Sequence, residues 1–287
     1  MHVSGILRLA ALILPLMPAA WTQAQQTANP PIPDIHQLMS EVREHQKNLE
    51  KVIENYTYST SLTVQDLDSK GQVTKTETKE FEEFFVNGHR IARLVKKDGK
   101  PLTGEEQKKE TERVTKEVEN AEKPKPEDPK KEEQGISLSK VLEAADVHNP
   151  RRENYRGRPT FVFDFVGRKD LKAHNSSEDV SKKLQGTIWI DAADRIVAHL
   201  DVSLDDNFHV AGGLLANVQK GSNFHFDQAP VNGEVWLQTG FDATMQARIL
   251  LVKGIRQHVT MHSYDYKRFR VETQQLKDAK VSQEKSK

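Results

Sequence analysis

The chain has 287 residues, of which 36% are hydrophobic, 29% are charged and 7% are aromatic, a length that permits one or two domains. Its formal net charge is zero, so no global basic field recruits nucleic acid or anionic lipid. The absence of cysteine excludes disulfides, thiolate metal sites, cysteine nucleophiles and a lipidated N-terminal cysteine.

The N-terminus has the features of a secretory signal. A weakly basic start precedes a short apolar run, and Thr22-Gln23-Ala24 is a suitable cleavage site. The run is shorter than the ~20 apolar residues that cross a bilayer, and no later stretch is apolar enough to do so. We therefore expect a signal peptide over residues 1–24, a periplasmic location, and no transmembrane span in the mature chain.

An amphipathic helix follows a proline-rich linker over residues 25–33. Asp34 is a suitable N-cap, and apolar residues recur from Ile35 at spacings of three, four and seven. This pattern predicts a helix over about 35–54 with one apolar stripe. Alternating residues from Tyr56 onward predict strands, and Asn87-Gly88 predicts a tight turn between two of them.

The composition changes over residues 100–135, where charged residues dominate and prolines cluster near the end. Thr103 and Glu106 form a capping-box pattern, which predicts a solvated helix over about 105–120. Such a segment buries too little apolar surface to offset the cost of ordering the chain. We interpret it as a charged, helical or disordered insertion.

Most of the remaining chain alternates apolar and polar residues, as expected for antiparallel strands with one apolar face. Phe161, Phe163 and Phe165 share one face of a strand, and two further strands cover about residues 184–204. We expect one long final run over 246–271 with a kink at Gly254. The chain thus predicts roughly ten or eleven strands.

A stripe of aromatic residues is the leading candidate for a binding site. One helix of about five turns cannot cover ten strands, so we expect an exposed apolar groove. The alternative, equally open at this stage, is a filled core under the helix. The candidate groove residues are Phe161, Phe163, Phe165, Trp189, Phe224, Phe226 and Trp236.

Catalytic and metal signatures are weak in the sequence. His258 and His262 share a face, but on a strand this spacing separates them by about 13 Å. No serine lies in a nucleophile elbow, and no glycine-rich phosphate loop is present. Asp164, Asp191 and Asp201 are interpreted as ordinary strand or turn carboxylates. We expect no catalytic residues, no metal site, no cofactor and no enzymatic activity.

Several short motifs resemble the LolA/LolB-like lipoprotein-carrier superfamily of periplasmic proteins. They are Gly157–Thr160 with the phenylalanine strand, Gly186–Asp191, Arg195–Val197, Gly221–Phe224, Trp236-Leu237, Tyr264-x-Tyr266-x-x-Phe269, and the helix that runs into Asn55-Tyr56-x-Tyr58.

The resemblance implies an α+β fold, in which a strongly curved antiparallel half-barrel wraps around the N-terminal helix and holds acyl chains. We expect a single domain over residues 34–275, followed by a disordered tail over 276–287. The charged insertion departs from the family pattern.

The leading functional hypothesis is a non-enzymatic periplasmic carrier of lipid or lipoprotein acyl chains, without nucleic-acid partners. Two alternatives remain open. The first is an envelope structural or stress-sensing protein that contacts another envelope protein. The second is a hydrolase that uses Asp and His residues of the sheet.

Overall fold

The computed structural model describes residues 32–123, 137–173, 176–210, 216–249 and 253–268, which lie in one compact unit. The helical elements are α1 (Ile35–Val52), a short 3₁₀ helix (Ile53–Asn55), α2 (Gly104–Glu122), α3 (Leu138–Ala144) and α4 (Ser176–Ser181). The strands are β1 (Tyr56–Leu67), β2 (Val73–Val86), β3 (His89–Lys97), β4 (Lys100–Pro101), β5 (Ala145–Tyr155), β6 (Arg158–Gly167), β7 (Leu184–Asp191), β8 (Val197–Leu204), β9 (Phe208–Val210), β10 (Ala216–Val218), β11 (Asn223–Val231), β12 (Val235–Ile249) and β13 (Lys253–Arg268).

All of these strands belong to one antiparallel sheet. The main path is β4-β3-β2-β1-β13-β12-β11-β8-β7-β6-β5, and β10 pairs with β12 and β9. The path begins at β4 and ends at β5 without closing. The predicted α+β fold with an open, half-barrel-like antiparallel sheet is therefore confirmed.

Helix α1 forms as the sequence predicts. The Asp34 carboxylate accepts a hydrogen bond from the backbone N–H of Gln37 at 2.9 Å, which caps the first turn. Leu38, Met39 and Val42 form the buried stripe of the helix. They pack against the phenylalanines of β6 and apolar residues of β7, β8, α3 and α4 in the larger of two buried clusters.

The predicted final run over 246–271 is two strands rather than one. Strand β12 extends to Ile249, β13 begins at Lys253, and the two pair antiparallel with Ile249 opposite Lys253. The prediction of one kinked strand at Gly254 was therefore wrong. Apolar residues on both sides of the reversal hid it, because periodicity alone does not mark a turn that lacks strong turn residues.

Helix α2 lies along the open edge of β3. Its capping box is confirmed, because the Thr103 hydroxyl accepts from the Glu106 N–H and the Glu106 carboxylate accepts from the Thr103 N–H. The Glu110 carboxylate accepts from the Leu94 backbone N–H at 2.7 Å, and Arg113 donates to the carbonyl of Ala92. Most of the helix surface is exposed, as expected, but these contacts satisfy backbone groups of the edge strand.

Several sequence expectations concern residues outside the described ranges. The signal peptide, most of the linker, the proline-rich part of the insertion and the C-terminal tail are in this group. Within the described ranges, no helix is both long enough and apolar enough to cross a membrane.

Candidate functional site

Two rows of side chains cross seven strands on the helix-bearing face of the sheet. Directly opposed residues of antiparallel strands point to the same face, so the register of β6, β7, β8, β11, β12, β13 and β1 defines each row. The first row is Phe163, Ile188, Leu200, Phe226, Phe241, Met261 and Leu62. The second row is Phe165, Gly186, Val202, Phe224, Ala243, Val259 and Val64.

The two rows are filled at one end. Phe163 is 0% exposed and Phe165 is 2% exposed, and both contribute to the larger buried cluster with α1, α3 and α4. Phe161 lies in the same cluster and is also 2% exposed. The filled-core alternative thus describes this end of the sheet, because its phenylalanines already have helix partners.

The other end of the rows is only half-buried, except for the small side chain of Ala243, which is 1% exposed. Phe224 and Phe226 lie at the boundary, where they pack against the larger cluster but keep partial exposure. Beyond them, the large apolar side chains that continue the rows belong to neither buried cluster of the described residues; they are Phe241 of β12, Val259 and Met261 of β13, and Leu62 and Val64 of β1. We name this surface the open apolar face, and it consists of Phe224, Phe226, Phe241, Val259, Met261, Leu62 and Val64.

The open apolar face is continuous and has a charged border. The rings of Phe224 and Phe241 stack diagonally with centroids 6.4 Å apart. On β2, the rows end at Lys79, opposite Leu62, and at Glu77, opposite Val64. Glu77 pairs with Lys75 at 2.5 Å, and these charges lower the pKa of the Glu77 carboxyl. An apolar strip therefore meets a solvated, ionised rim on β2, the third strand from the β4 end of the path.

The structure does not bring all seven predicted groove residues together. Trp189 lies opposite His199 and Val162 on the other face of the sheet, where its indole N–H donates to Glu153 at 2.9 Å. The prediction that Trp189 shares a face with the phenylalanines is therefore corrected. Its sequence neighbours Ile188 and Ile190 lie opposite Phe163 and Phe161, so Trp189 itself points to the other face.

Trp236 also lies apart from the rows, and its indole ring is 6% exposed. A β-bulge at Asp227/Gln228 shifts the β11–β12 register between this residue and the rows. The Trp236 indole N–H donates to the Asp194 carboxylate at 2.9 Å, and the Arg158 guanidinium lies 5.2 Å from the ring centroid. These contacts anchor the ring beside the β7–β8 turn.

The three aspartates considered for hydrolysis do not form one site. Asp191 is 1% exposed and accepts two hydrogen bonds from Arg158, at 2.5 and 3.0 Å. Asp164 accepts from Arg151, Asn149 and Thr187. Register places Asp164 and Asp201 on either side of Thr187, on the other sheet face. This separates the two carboxylates by about two strand spacings of ~4.8 Å.

Side chains that could hold a metal lie on that other face. His199, Asp201 and His225 are the described group whose nitrogen and oxygen donor atoms all lie within 4.8 Å of one another. This group was not predicted from the sequence, because its histidines lie on two different strands and only the pairing of β8 with β11 brings them together. The signal was present as two His-x-Asp triplets, at 199–201 and 225–227, in separate alternating segments.

Two surface pockets of about 390 and 260 Å³ lie elsewhere and include no residue of the open apolar face. The first is lined by Asn207, Asn217, Gln219, Lys220 and Arg248. The open apolar face is therefore a surface strip rather than either of these pockets.

Comparison with known proteins finds similar solved structures. No protein-family model and no curated protein matches the chain. A LolA superfamily protein from Nitrosomonas europaea is similar in structure at 9% identity and TM-score 0.36, over 83% of this chain and 95% of that one. An outer membrane lipoprotein-sorting protein domain from Vibrio parahaemolyticus is similar at 10% identity and TM-score 0.33, over 81% and 94%.

A DUF1329 family protein from Desulfovibrio piger is similar at 10% identity and TM-score 0.32, over 82% of this chain and 94% of that one. Two of these three proteins bear names of the superfamily that the sequence motifs resemble. At these TM-scores we draw no functional conclusion from the alignments.

Proposed function

We propose that this protein binds the acyl chains of a lipid or lipoprotein on the open apolar face. The observation that supports this proposal is the change in burial along the two rows. Side chains at the β6 end are covered by helices, whereas Phe241, Met261 and Leu62 remain half-buried in the described structure. A contiguous apolar strip with a polar rim is typical of a binding surface.

The strip provides enough contact for binding at micromolar concentrations. Burial of apolar surface contributes about 0.8 kcal/mol per methylene. A chain that buries eight to ten methylenes therefore gains roughly 6–8 kcal/mol before the cost of association. This free energy corresponds to a Kd of about 1–40 μM before that cost is subtracted, so binding at micromolar concentrations requires an ordered protein surface and a small cost of association.

The proposed cellular role is that of a periplasmic carrier without enzymatic activity. Its support is the secretory pattern over residues 1–24 together with the apolar strip. A carrier accepts its cargo from one membrane partner and releases it to another, so cargo contacts need to be reversible. Contacts made mainly by apolar burial satisfy this requirement because they are non-directional.

The test uses two neighbouring residues of β13 that point to opposite faces. Met261 belongs to the open apolar face, and Thr260 lies on the other face opposite Asp242. The expected result is saturable binding of a fluorescent fatty acid that lipid displaces, lost in Met261→Lys and retained in Thr260→Lys. Thr260→Lys is the matched control, because it introduces the same charge at the adjacent position of β13 but on the opposite face of the sheet.

The proposal fails if the wild-type chain shows no saturable binding at probe concentrations up to about 100 μM, which exceeds the Kd of about 1–40 μM that 6–8 kcal/mol corresponds to. It also fails if both lysine variants lose binding equally while remaining folded by circular dichroism. Mass spectrometry of organic extracts from purified protein provides a second measurement. Recovery of a protein partner without lipid favours the envelope-sensing alternative.

A further inference from the structure

Two identical motifs meet on the face of the sheet opposite the open apolar face. His199 and Asp201 lie two residues apart on β8, and His225 and Asp227 lie two residues apart on β11. The strands are antiparallel neighbours, and their register places His225 opposite Asp201 and Asp227 opposite His199. Because residues two apart share a face and opposed residues approach closely, the four side chains alternate in a small square.

Three of these side chains direct donor atoms to one point. The Asp201 Oδ1 atom lies 2.8 Å from His199 Nε2 and is also in contact with His225 Nδ1. The imidazole planes of His199 and His225 are nearly parallel, at 9°, with centroids 6.4 Å apart. The side chains of Asp201 and His225 are 39% and 45% exposed, whereas that of His199 is 13% exposed. Solvent therefore reaches the cluster from the side of Asp201 and His225.

A second layer of residues fixes the orientation of His199. The Asp227 Oδ1 atom lies 2.8 Å from His199 Nδ1. Asp227 in turn accepts from the Tyr155 hydroxyl at 2.5 Å and from Arg156 at 3.0 Å. The Tyr155 ring stacks on the His199 imidazole at 4.8 Å, and the Trp189 ring meets its edge at 4.9 Å.

This layer has the arrangement that supports metal-binding histidines. A carboxylate that accepts from one ring nitrogen fixes the tautomer and directs the lone pair of the other nitrogen to the metal. Asp227 occupies that position relative to His199 Nδ1. His199 Nε2 is then the nitrogen that faces Asp201 and His225, where the three donor atoms converge.

We propose that His199 Nε2, Asp201 and His225 Nδ1 bind a divalent transition-metal ion, for which Zn²⁺ is the best match. Two imidazoles and one carboxylate are suitable ligands for Zn²⁺, and three protein ligands leave a fourth position for water or another donor. The ion would join β8 to β11 on the side of the sheet away from the open apolar face. This site is independent of lipid binding.

The alternative is a set of His–Asp hydrogen bonds that holds protons and no metal. Isothermal titration of the tag-free, chelator-treated full chain with Zn²⁺ distinguishes the two. We expect one ion per chain with micromolar or tighter affinity, and we expect Asp227→Asn to weaken binding by about 10–100-fold. His225→Ala and Asp201→Asn, which remove ligands, should weaken it at least as much.

The matched control is His258→Ala. His258 Nε2 also contacts a carboxylate, that of Asp242, at 2.7 Å on a neighbouring part of the sheet. Within the described residues this pair belongs to no group of three converging donors, so Zn²⁺ affinity should be unchanged. The His225 side chain is 45% exposed and Asp201→Asn conserves shape, so at least one ligand variant should fold, as checked by circular dichroism.

Spectroscopy separates direct ligation from a general structural effect. With Co²⁺ in place of Zn²⁺, the wild-type chain should show visible absorption bands from protein-bound Co²⁺. His225→Ala should remove them, and Asp227→Asn should shift them. The proposal is overturned if wild-type protein binds no Zn²⁺ at micromolar concentration, if folded His225→Ala or Asp201→Asn binds it as tightly as wild type, or if His258→Ala loses as much affinity as the ligand variants.

Discussion

Truncating a phenylalanine at each end of the first apolar row tests whether the row is filled at one end and open at the other. Phe163 is 0% exposed in the larger buried cluster, so Phe163→Ala leaves a cavity and should lower the free energy of unfolding by about 3–5 kcal/mol. In a domain of this size each kcal/mol corresponds to roughly 2–4 °C. The melting temperature should therefore fall by about 6–20 °C.

Phe241 lies in the same row but is only half-buried, and it belongs to neither buried cluster of the described residues. Phe241→Ala should therefore cost only about 1–2 kcal/mol of stability. If the ring contacts an acyl chain, the same change should weaken probe binding by about 5–30-fold. Phe163→Ala, assayed below its melting transition, should leave probe affinity nearly unchanged.

Differential scanning calorimetry and titration of a fluorescent fatty acid measure the two quantities on the same preparations. The reasoning predicts opposite patterns for the two variants, with stability lost at Phe163 and affinity lost at Phe241. Equal losses of stability at both positions would refute it, because Phe241 would then occupy a filled core. Loss of probe affinity at Phe163 alone would move the site to the helix-covered end.

Three further predictions concern the sheet itself. Burial raises the pKa of the Asp191 carboxyl, but Arg158 and the backbone N–H groups of the turn lower it to a net value below the ordinary one. The resulting stability is present above the unfolded pKa and is lost as pH falls below about 4. Asp191→Asn should therefore reduce the decrease in melting temperature between about pH 5 and 2.5. An unchanged pH profile would contradict this. Glu110→Ala leaves the Leu94 N–H without its carboxylate partner and should lower the free energy of unfolding, measured in urea, by about 1–3 kcal/mol. Glu112→Ala is the exposed control. Equal urea midpoints for the two variants would show that α2 does not stabilise the edge strand β3. A Cβ on Gly186 would collide with the backbone carbonyl of Asp201, so Gly186→Ala should destabilise the fold by about 1–3 kcal/mol or more. If the Gly186→Ala variant were as stable as the wild type, β7 and β8 would be able to separate without cost.

Elements with strong local signals were predictable from the sequence. Helix α1 and the capping box of α2 were predicted because their caps and apolar spacings are encoded within a few residues. The Asn87-Gly88 turn was predicted for the same reason, and both residues adopt positive φ. By contrast, Asn149-Pro150 is a pattern that ends a helix, and a short helix over about 140–145 was expected to end there. Instead, α3 ends at Ala144 and β5 continues through Asn149-Pro150. A bulge in the β5–β6 register between His148 and Arg151 accommodates the proline.

The candidate site was less predictable because it depends on which strands become neighbours. The alternation of Phe161, Phe163 and Phe165 correctly predicted that they share one face of the sheet. It did not predict how deeply they are buried, because α3 and α4 also pack against that face. Met261 and Leu62 lie in separate segments of the sequence, and neither segment indicates that the two residues are close. Only the pairing of β1 with β13 places them opposite each other. Contacts between residues so distant in sequence cannot be derived from periodicity within one strand.

Strand β11 carries both proposed sites, and this allows them to be separated experimentally. Phe224 and Phe226 point to the open apolar face, whereas His225 and Asp227 point to the opposite face. A one-residue slip of this strand would exchange the two sets and place two ionisable groups against the apolar core, so the register is strongly constrained. His225→Ala should therefore remove Zn²⁺ binding without changing probe affinity, and Phe226→Ala should weaken probe binding without changing Zn²⁺ affinity. If either variant lost both activities while folded, the two faces would be coupled through the strand rather than acting as separate surfaces.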